Sequence, residues 1–205
     1  MKLYDSGRAP NPRRVRWVLA EKDVTDIELV DIDILKGAHR TPEYLALVGV
    51  PSVPAFELKS GEVITESLAI CRYLESLYPE PNLFGRTAEE VAVIEMWTRR
   101  AELLMANPLM MLVRHTHPAL AELEKQSPEE ADKYRTAAER SFKLFERALA
   151  TREFIAADRI TIADIVAFIA LDFSRMAKFK LPETVPHMLA WAERMRARPA
   201  VTAGL

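Results

Sequence analysis

The sequence predicts a chain in two parts: a small α/β unit of βαβαββα order, then an all-α helical bundle. Three observations carry that prediction. First, two apolar runs, Ala55-Phe56-Glu57-Leu58 and Val63-Ile64, flank the turn Lys59-Ser60-Gly61-Glu62. The pattern then changes abruptly to helical spacing through Leu68, Ile70, Cys71, Leu74 and Leu77, as expected for a hairpin that runs into a helix. Second, Tyr78-Pro79-Glu80-Pro81-Asn82 holds two prolines that stop a helix. Third, after Thr87 the composition shifts to Ala, Glu, Leu, Arg and Met, with helical period nearly throughout. The expected boundaries are 1–79 for the α/β unit, 80–87 for a linker and 88–205 for the helical unit.

The elements follow in order. Lys2–Asp5 reads as a short strand. Pro12 suits a first helical position, where its missing N–H costs no hydrogen bond. Val15, Val18 and Leu19 then form the apolar stripe of a helix ending near Lys22. Residues 27–34 alternate as a strand, with Ile27, Leu29, Val30 and Ile32 competing for the core. Thr41 is placed to cap a short helix that Pro42 opens. The hairpin and a helix over 67–78 complete the unit. Further helices are expected near 88–116, 129–150, 161–177 and 186–197. Pro108 should kink the first of these, because it removes a donor and crowds the preceding turn. Pro128 and Pro186 mark other helix entries. Thr161 and Asp164 have capping-box spacing, with Ile160 and Ile165 as the apolar staple. Their expected role is structural.

Composition excludes several classes. Net charge is −2 over 205 residues, so nothing global favours nucleic acid. No apolar stretch is long enough to span a bilayer, and Met1-Lys2-Leu3-Tyr4-Asp5 does not open like a signal peptide. One cysteine allows no internal disulfide, which fits a reduced compartment, the cytoplasm.

The chemistry-bearing pattern is Val53-Pro54 followed by Glu66-Ser67. A proline can open a strand, since its missing N–H faces away from the ladder. With a cis bond, Val53 would turn its N–H and C=O outward, ready to pair with a peptide-like ligand. Glu66 and Ser67 sit where strand hands over to helix. Open N–H groups and the positive dipole end suit a carboxylate there, and the Glu66 carboxylate suits an ammonium. The plainer reading is a hairpin–helix unit with Ser67 as its cap.

Together, in this order and before an all-helical remainder, these motifs resemble the glutathione transferase family. The resemblance covers essentially the whole chain. It implies a thioredoxin-like first domain, glutathione as co-substrate, no metal, a small hydrophobic electrophile and a homodimer. The dimer contact would come from the face around Phe56 and the helix carrying Arg99 and Arg100. By the same resemblance Val53, Pro54, Glu66 and Ser67 hold glutathione. His39 and Lys36, in the stretch 34–45, match positions that take the glycine carboxylate; an exposed cation on a loop is the alternative.

Enzymes of this family hold the glutathione thiol as a thiolate, usually through a hydroxyl or thiol of the first loop. That loop is Ser6-Gly7-Arg8-Ala9-Pro10-Asn11-Pro12-Arg13-Arg14-Val15-Arg16. Ala9 stands where serine-type relatives carry the catalytic serine, and the loop has no cysteine. Tyr4 and Ser6 are the remaining hydroxyls. Backbone N–H groups near Asn11, with the positive field of Arg8, Arg13, Arg14 and Arg16, could hold the thiolate instead. The basic run could equally be a solvated face, or Arg13 or Arg14 could pair with an acid of the helical half.

The stretch from Arg100 to Pro118 resembles atypical, fungal-type members in which a serine and a histidine hold a water that takes the thiol proton. His115 matches the histidine, while Leu109-Met110-Met111-Leu112 has no hydroxyl to match the serine. His115 could also cap a helix C-terminus or line a substrate pocket with Met110 and Met111; the alternative for the two methionines is core. Cys71 reads as buried packing. The leading function is glutathione transfer to small hydrophobic electrophiles. The alternatives are glutathione-dependent disulfide or peroxide reduction, and a non-catalytic glutathione binder, ligand carrier or interaction module. A maleylacetoacetate isomerase would need a Ser-Ser-Cys loop, which is missing.

Overall fold

The computed structural model describes residues 1–7 and 9–203. The expected contribution of Arg8 therefore lies outside the described residues. The chain divides into two compact units: Met1–Pro81 together with residues from 199 on, and Asn82–Arg198.

The first unit runs β1 (Lys2–Asp5), α1 (Pro10–Glu21), β2 (Glu28–Asp31), α2 (Pro42–Val48), β3 (Ala55–Glu57), β4 (Val63–Thr65) and α3 (Ser67–Leu77). The sheet order is β2-β1-β3-β4, with β1 parallel to β2 and antiparallel to β3, and β3 antiparallel to β4. This is the expected βαβαββα unit. Strand alternation sends successive residues to opposite faces. Leu3 pairs with Phe56 in register, and both are fully buried, as are Val15, Val18, Ile70 and Leu74 of α1 and α3. Tyr4 and Ala55 turn to the other face and cluster with Ile32 and Tyr44. Phe56 itself is 0% exposed, so a contact face around it would be built by its neighbours and not by its own side chain. Its strand is central in the sheet and its side chain faces core.

Local differences from the sequence reading have plain causes. α1 opens at Pro10, two residues before Pro12, because Ala9 is extended (φ −82°, ψ 137°) and its N–H turns back to the Ser6 carbonyl at 2.9 Å. In β2, Leu29 is 56% exposed while Ile27 and Ile32 are buried, so the flanking isoleucines won the core. Lys22 closes the far end of α3: its ammonium reaches Glu75 at 2.7 Å and donates to the Tyr78 and Pro81 carbonyls at 2.7 and 2.9 Å.

The second unit holds α4 (Ala88–Arg100), α5 (Asn107–Thr116), α6 (Pro128–Leu149), α7 (Ile162–Ser174) and α8 (Pro186–Arg196). The expected kinked helix 88–116 is interrupted instead by a π-helical segment, Ala101–Ala106, just ahead of Pro108. A proline cannot donate to the carbonyl four residues back, and a locally widened turn absorbs the mismatch. The buried core is centred on α7, whose residues from Ile162 to Leu171 are all buried. Thr161 and Asp164 form the expected capping box, with Ile160 and Ile165 buried beside it.

Residues 80–87 are expected to be a linker and 88–205 the helical half. In the structure the first unit ends at Pro81, and residues 199–203 pack against it, with Arg13 donating to the Val201 carbonyl at 3.0 Å.

Candidate functional site

The predicted grip lies in the first unit. Pro54 is buried and Val53 half-buried, and the Val53-Pro54 bond is cis. Among the described residues the Val53 N–H and C=O make no hydrogen bond with the chain. Glu66 is exposed and holds φ 68° and ψ 116°. A non-glycine residue with positive φ carries strain of order 1–3 kcal/mol, and such residues cluster at ligand sites. Glu66 stands at the N-cap of α3 and gives it no side-chain cap.

Ser67 follows, 5% exposed. Its Oγ accepts from Arg14 Nη1 at 3.3 Å. Two residues predicted for different ends of the ligand, Ser67 and Arg14, are thus brought together. No local signal pairs them, since 53 positions separate them; only the packing of α1 on α3 reveals it.

Lys36 is largely exposed, and its ammonium sits 3.0 Å from Asp33. That partner holds the Asp33 carboxyl below its ordinary range. His39 is buried on a short turn opened by Gly37 at φ 75°. Its Nε2 accepts from Arg40 Nε at 3.2 Å, which leaves the proton on Nδ1. That Nδ1 is buried without a partner among the described residues. Burial first, and then Arg40, lower its pKa.

At the start of α1, Ala9 supplies no cap and the first turn holds no acid. Pro10 and Pro12 have no N–H to offer, and the Arg13 N–H points to the Ala9 carbonyl at 3.4 Å. Asn11 thus carries the first turn's open amide, and its Oδ1 is buried with no partner among the described residues. The basic run is no solvated face. Arg13, Arg14 and Arg16 are all buried. Arg13 holds Val201 and stacks 5.9 Å from the Trp17 ring; Arg16 pairs with Asp5 and donates to the Gly7 carbonyl at 3.0 Å. The partners named here lie in the first unit.

The hydroxyl candidates are committed elsewhere or inward. Tyr4 donates to Glu57 at 2.6 Å; burial and that carboxylate push its pKa up to about 12. Ser6 is buried. Cys71 is fully buried, and burial pushes its thiol up to about 12, as packing requires.

His115, Met110 and Met111 lie on α5 in the second unit. The methionines are half-buried. His115 Nδ1 accepts from the Ser127 N–H at 3.3 Å, and the ring stacks on Tyr134 at 5.8 Å. An imidazole that accepts at Nδ1 carries its proton on Nε2. Just upstream, Leu103 and Leu104 of the π-helical segment are 49% and 45% exposed, a feature with no sequence signal short of seeing the widened turn. Two hollows, of about 370 and 290 Å³, lie away from these residues.

The family described as "Glutathione S-transferase, N-terminal domain" matches residues 3–82, and "Glutathione S-transferase, C-terminal domain" matches residues 103–199. The chain belongs to the glutathione S-transferase family. It is 36% identical over 204 residues to glutathione S-transferase 2 of Saccharomyces cerevisiae, covering 98% of this chain and 88% of that protein. The crystal structure of Gtt2 from the same yeast superposes with TM-score 0.92 at 36% identity and full coverage of both chains. A glutathione S-transferase domain-containing protein of Marinobacter aquaeolei gives 0.93 at 38% identity, covering 98% of this chain and all of that one. These likenesses place this glutathione transferase in the atypical fungal and bacterial branch. The family uses glutathione as co-substrate, and among the described residues no cluster of metal-ligating side chains forms.

Proposed function

We propose that this transferase holds glutathione in its first unit and joins the glutathione thiolate to small hydrophobic electrophiles. The observation that carries the reading is that α1 and α3 both begin without a side-chain cap. The groups left open beside them match what glutathione presents. The γ-glutamyl end carries an ammonium and a carboxylate on one carbon: Glu66 takes the first, Ser67 and the α3 amides the second. Val53 pairs with the peptide backbone beside Pro54. His39, through its Nδ1–H, and Lys36 take the glycine carboxylate.

Asn11 takes the sulfur. Its backbone N–H and side-chain amide are donors that stabilise a thiolate. An amide accepts no proton at neutral pH, so the thiol proton leaves to water. The thiolate then attacks the electrophilic carbon, forming a C–S bond as the leaving group departs with its electron pair. Arg14 acts on the carboxylate end rather than as a thiolate-stabilising charge. His115, protonated at Nε2, donates and does not serve as the base. Met110 and Met111, with Leu103, form a deformable apolar wall for the electrophile. The protein works in the cytoplasm as a homodimer through α4, where Val93 and Met96 are each 39% exposed.

The test is conjugation of glutathione to 1-chloro-2,4-dinitrobenzene. Asn11→Ala is expected to lower kcat about ten- to a hundredfold, the loss typical of one thiolate or oxyanion donor. The kcat/KM profile should shift to higher pH while glutathione KM stays within about twofold. An unchanged kcat would remove Asn11 from the thiolate. A wild-type protein that binds glutathione without conjugating it would make the chain a binder alone.

A further inference from the structure

The Arg14–Ser67 contact has a chemical polarity. Arg14 has only donors to give, so the 3.3 Å contact makes Ser67 Oγ the acceptor. Ser67 in turn donates to nothing among the described residues. Its hydroxyl proton is therefore directed away from Arg14, and the adjacent cation strengthens it as a donor, because hydrogen bonds in a chain polarise one another at low local dielectric. Both side chains are buried, Arg14 at 2% and Ser67 at 5% exposure, so water competes little. Arg14 also lies three residues after Asn11 on the same face of α1.

We propose that Arg14 is a positioning residue: it orients and polarises the Ser67 hydroxyl for the γ-glutamyl carboxylate, and so sets affinity for an amino-acid zwitterion at the start of α3. The proposal rests on the glutathione reading and deepens it. It predicts that Arg14 matters for ligands bearing an α-carboxylate beside the ammonium and not for the same peptide without it.

Two ligands separate the possibilities: glutathione, and its analogue lacking the γ-glutamyl α-carboxylate (4-aminobutyryl-cysteinyl-glycine). Each is titrated calorimetrically against wild type, Arg14→Gln, Arg14→Lys, Ser67→Ala and the double variant Arg14→Gln/Ser67→Ala. Arg14→Gln should weaken glutathione about tenfold, the scale of one charge-assisted hydrogen bond. It should raise glutathione KM with kcat within about twofold and leave the analogue's affinity unchanged. Arg14→Lys should recover part of the loss. The double variant should bind glutathione no worse than Ser67→Ala. Equal weakening of both ligands would mark Arg14 as a general structural support and overturn the proposal. So would unchanged glutathione affinity in a folded Arg14→Gln. If wild type bound neither ligand, the glutathione reading itself would fall, an outcome distinct from these.

Discussion

The N-termini of α7 and α3 solve the same problem in opposite ways. Each leaves backbone N–H groups that need acceptors. At α7 the chain supplies everything. The Asp164 carboxylate accepts from the Thr161 N–H at 2.9 Å, the Thr161 hydroxyl at 2.8 Å, the Ile155 N–H at 2.8 Å and the Trp191 indole at 2.9 Å. Both box residues are 0% exposed. Burial pushes the Asp164 carboxyl up, against the pull of these donors. At α3 the N-cap Glu66 faces outward in a left-handed backbone conformation and caps nothing. Thr41, Thr87 and Ser127 cap α2, α4 and α6 with their own side chains, and Glu146 reaches across to the first amides of α8. α5 also has no side-chain cap, but it continues from the π-helical segment and so has no free start; among the described residues the uncapped starts of α1 and α3 are the exceptions. A helix start closed by its own chain holds the fold; one left open keeps its binding capacity for something else.

The contrast is broken most directly at its closed end. Asp164→Ala strands four donors in a buried site, which should cost about 3–5 kcal/mol. Denaturant unfolding reads the loss. A cost below about 1 kcal/mol would show that the network is not what holds α7. The open end should respond the other way. Ser67→Ala is expected to change unfolding free energy by less than about 1 kcal/mol, while raising glutathione KM about tenfold or more. If Ser67→Ala destabilised the protein as Asp164→Ala does, the two helix starts would be alike and the distinction would fail.

The same contrast explains what the sequence could disclose. Local rules made the closed features legible: Thr161 and Asp164 by spacing, Thr41-Pro42 by cap and first-turn chemistry, the hairpin by alternation. Val53-Pro54 and Glu66-Ser67 were visible because motif and order travel together along the chain. For the arginines the sequence leaves several kinds of partner open and does not choose among them. Acceptors they do meet, Asp5, Gly7, Ser67 and Val201, are distributed from one end of the chain to the other, and only packing gathers them. Pro108 announced an irregularity, yet proline chemistry alone does not choose between a kink and a π-helical turn. His115 was read for its ionisable ring; the backbone amide of Ser127, which fixes its tautomer, comes from the next helix start.

The smallest expected effect concerns His39, where an open donor should appear as a dependence on pH. Burial and then Arg40 hold its pKa below the ordinary value, which is about 6.5 in an unfolded chain. On acidification the unfolded chain takes up a proton that the folded chain resists. The stability linked to His39 is therefore present in full above about pH 6.5, and it is lost as pH falls through that value toward the folded one. Thermal midpoints between pH 7.5 and 5.5 should fall in wild type, and His39→Gln should remove part of that fall. Glutathione should then act selectively. A carboxylate at the buried Nδ1–H favours the protonated ring, so saturating glutathione should restore more stability at pH 5.5 in wild type than in His39→Gln, with a smaller difference at pH 7.5. Equal restoration in both proteins at both pH values would move the glycine carboxylate away from His39 and leave Lys36 to hold it.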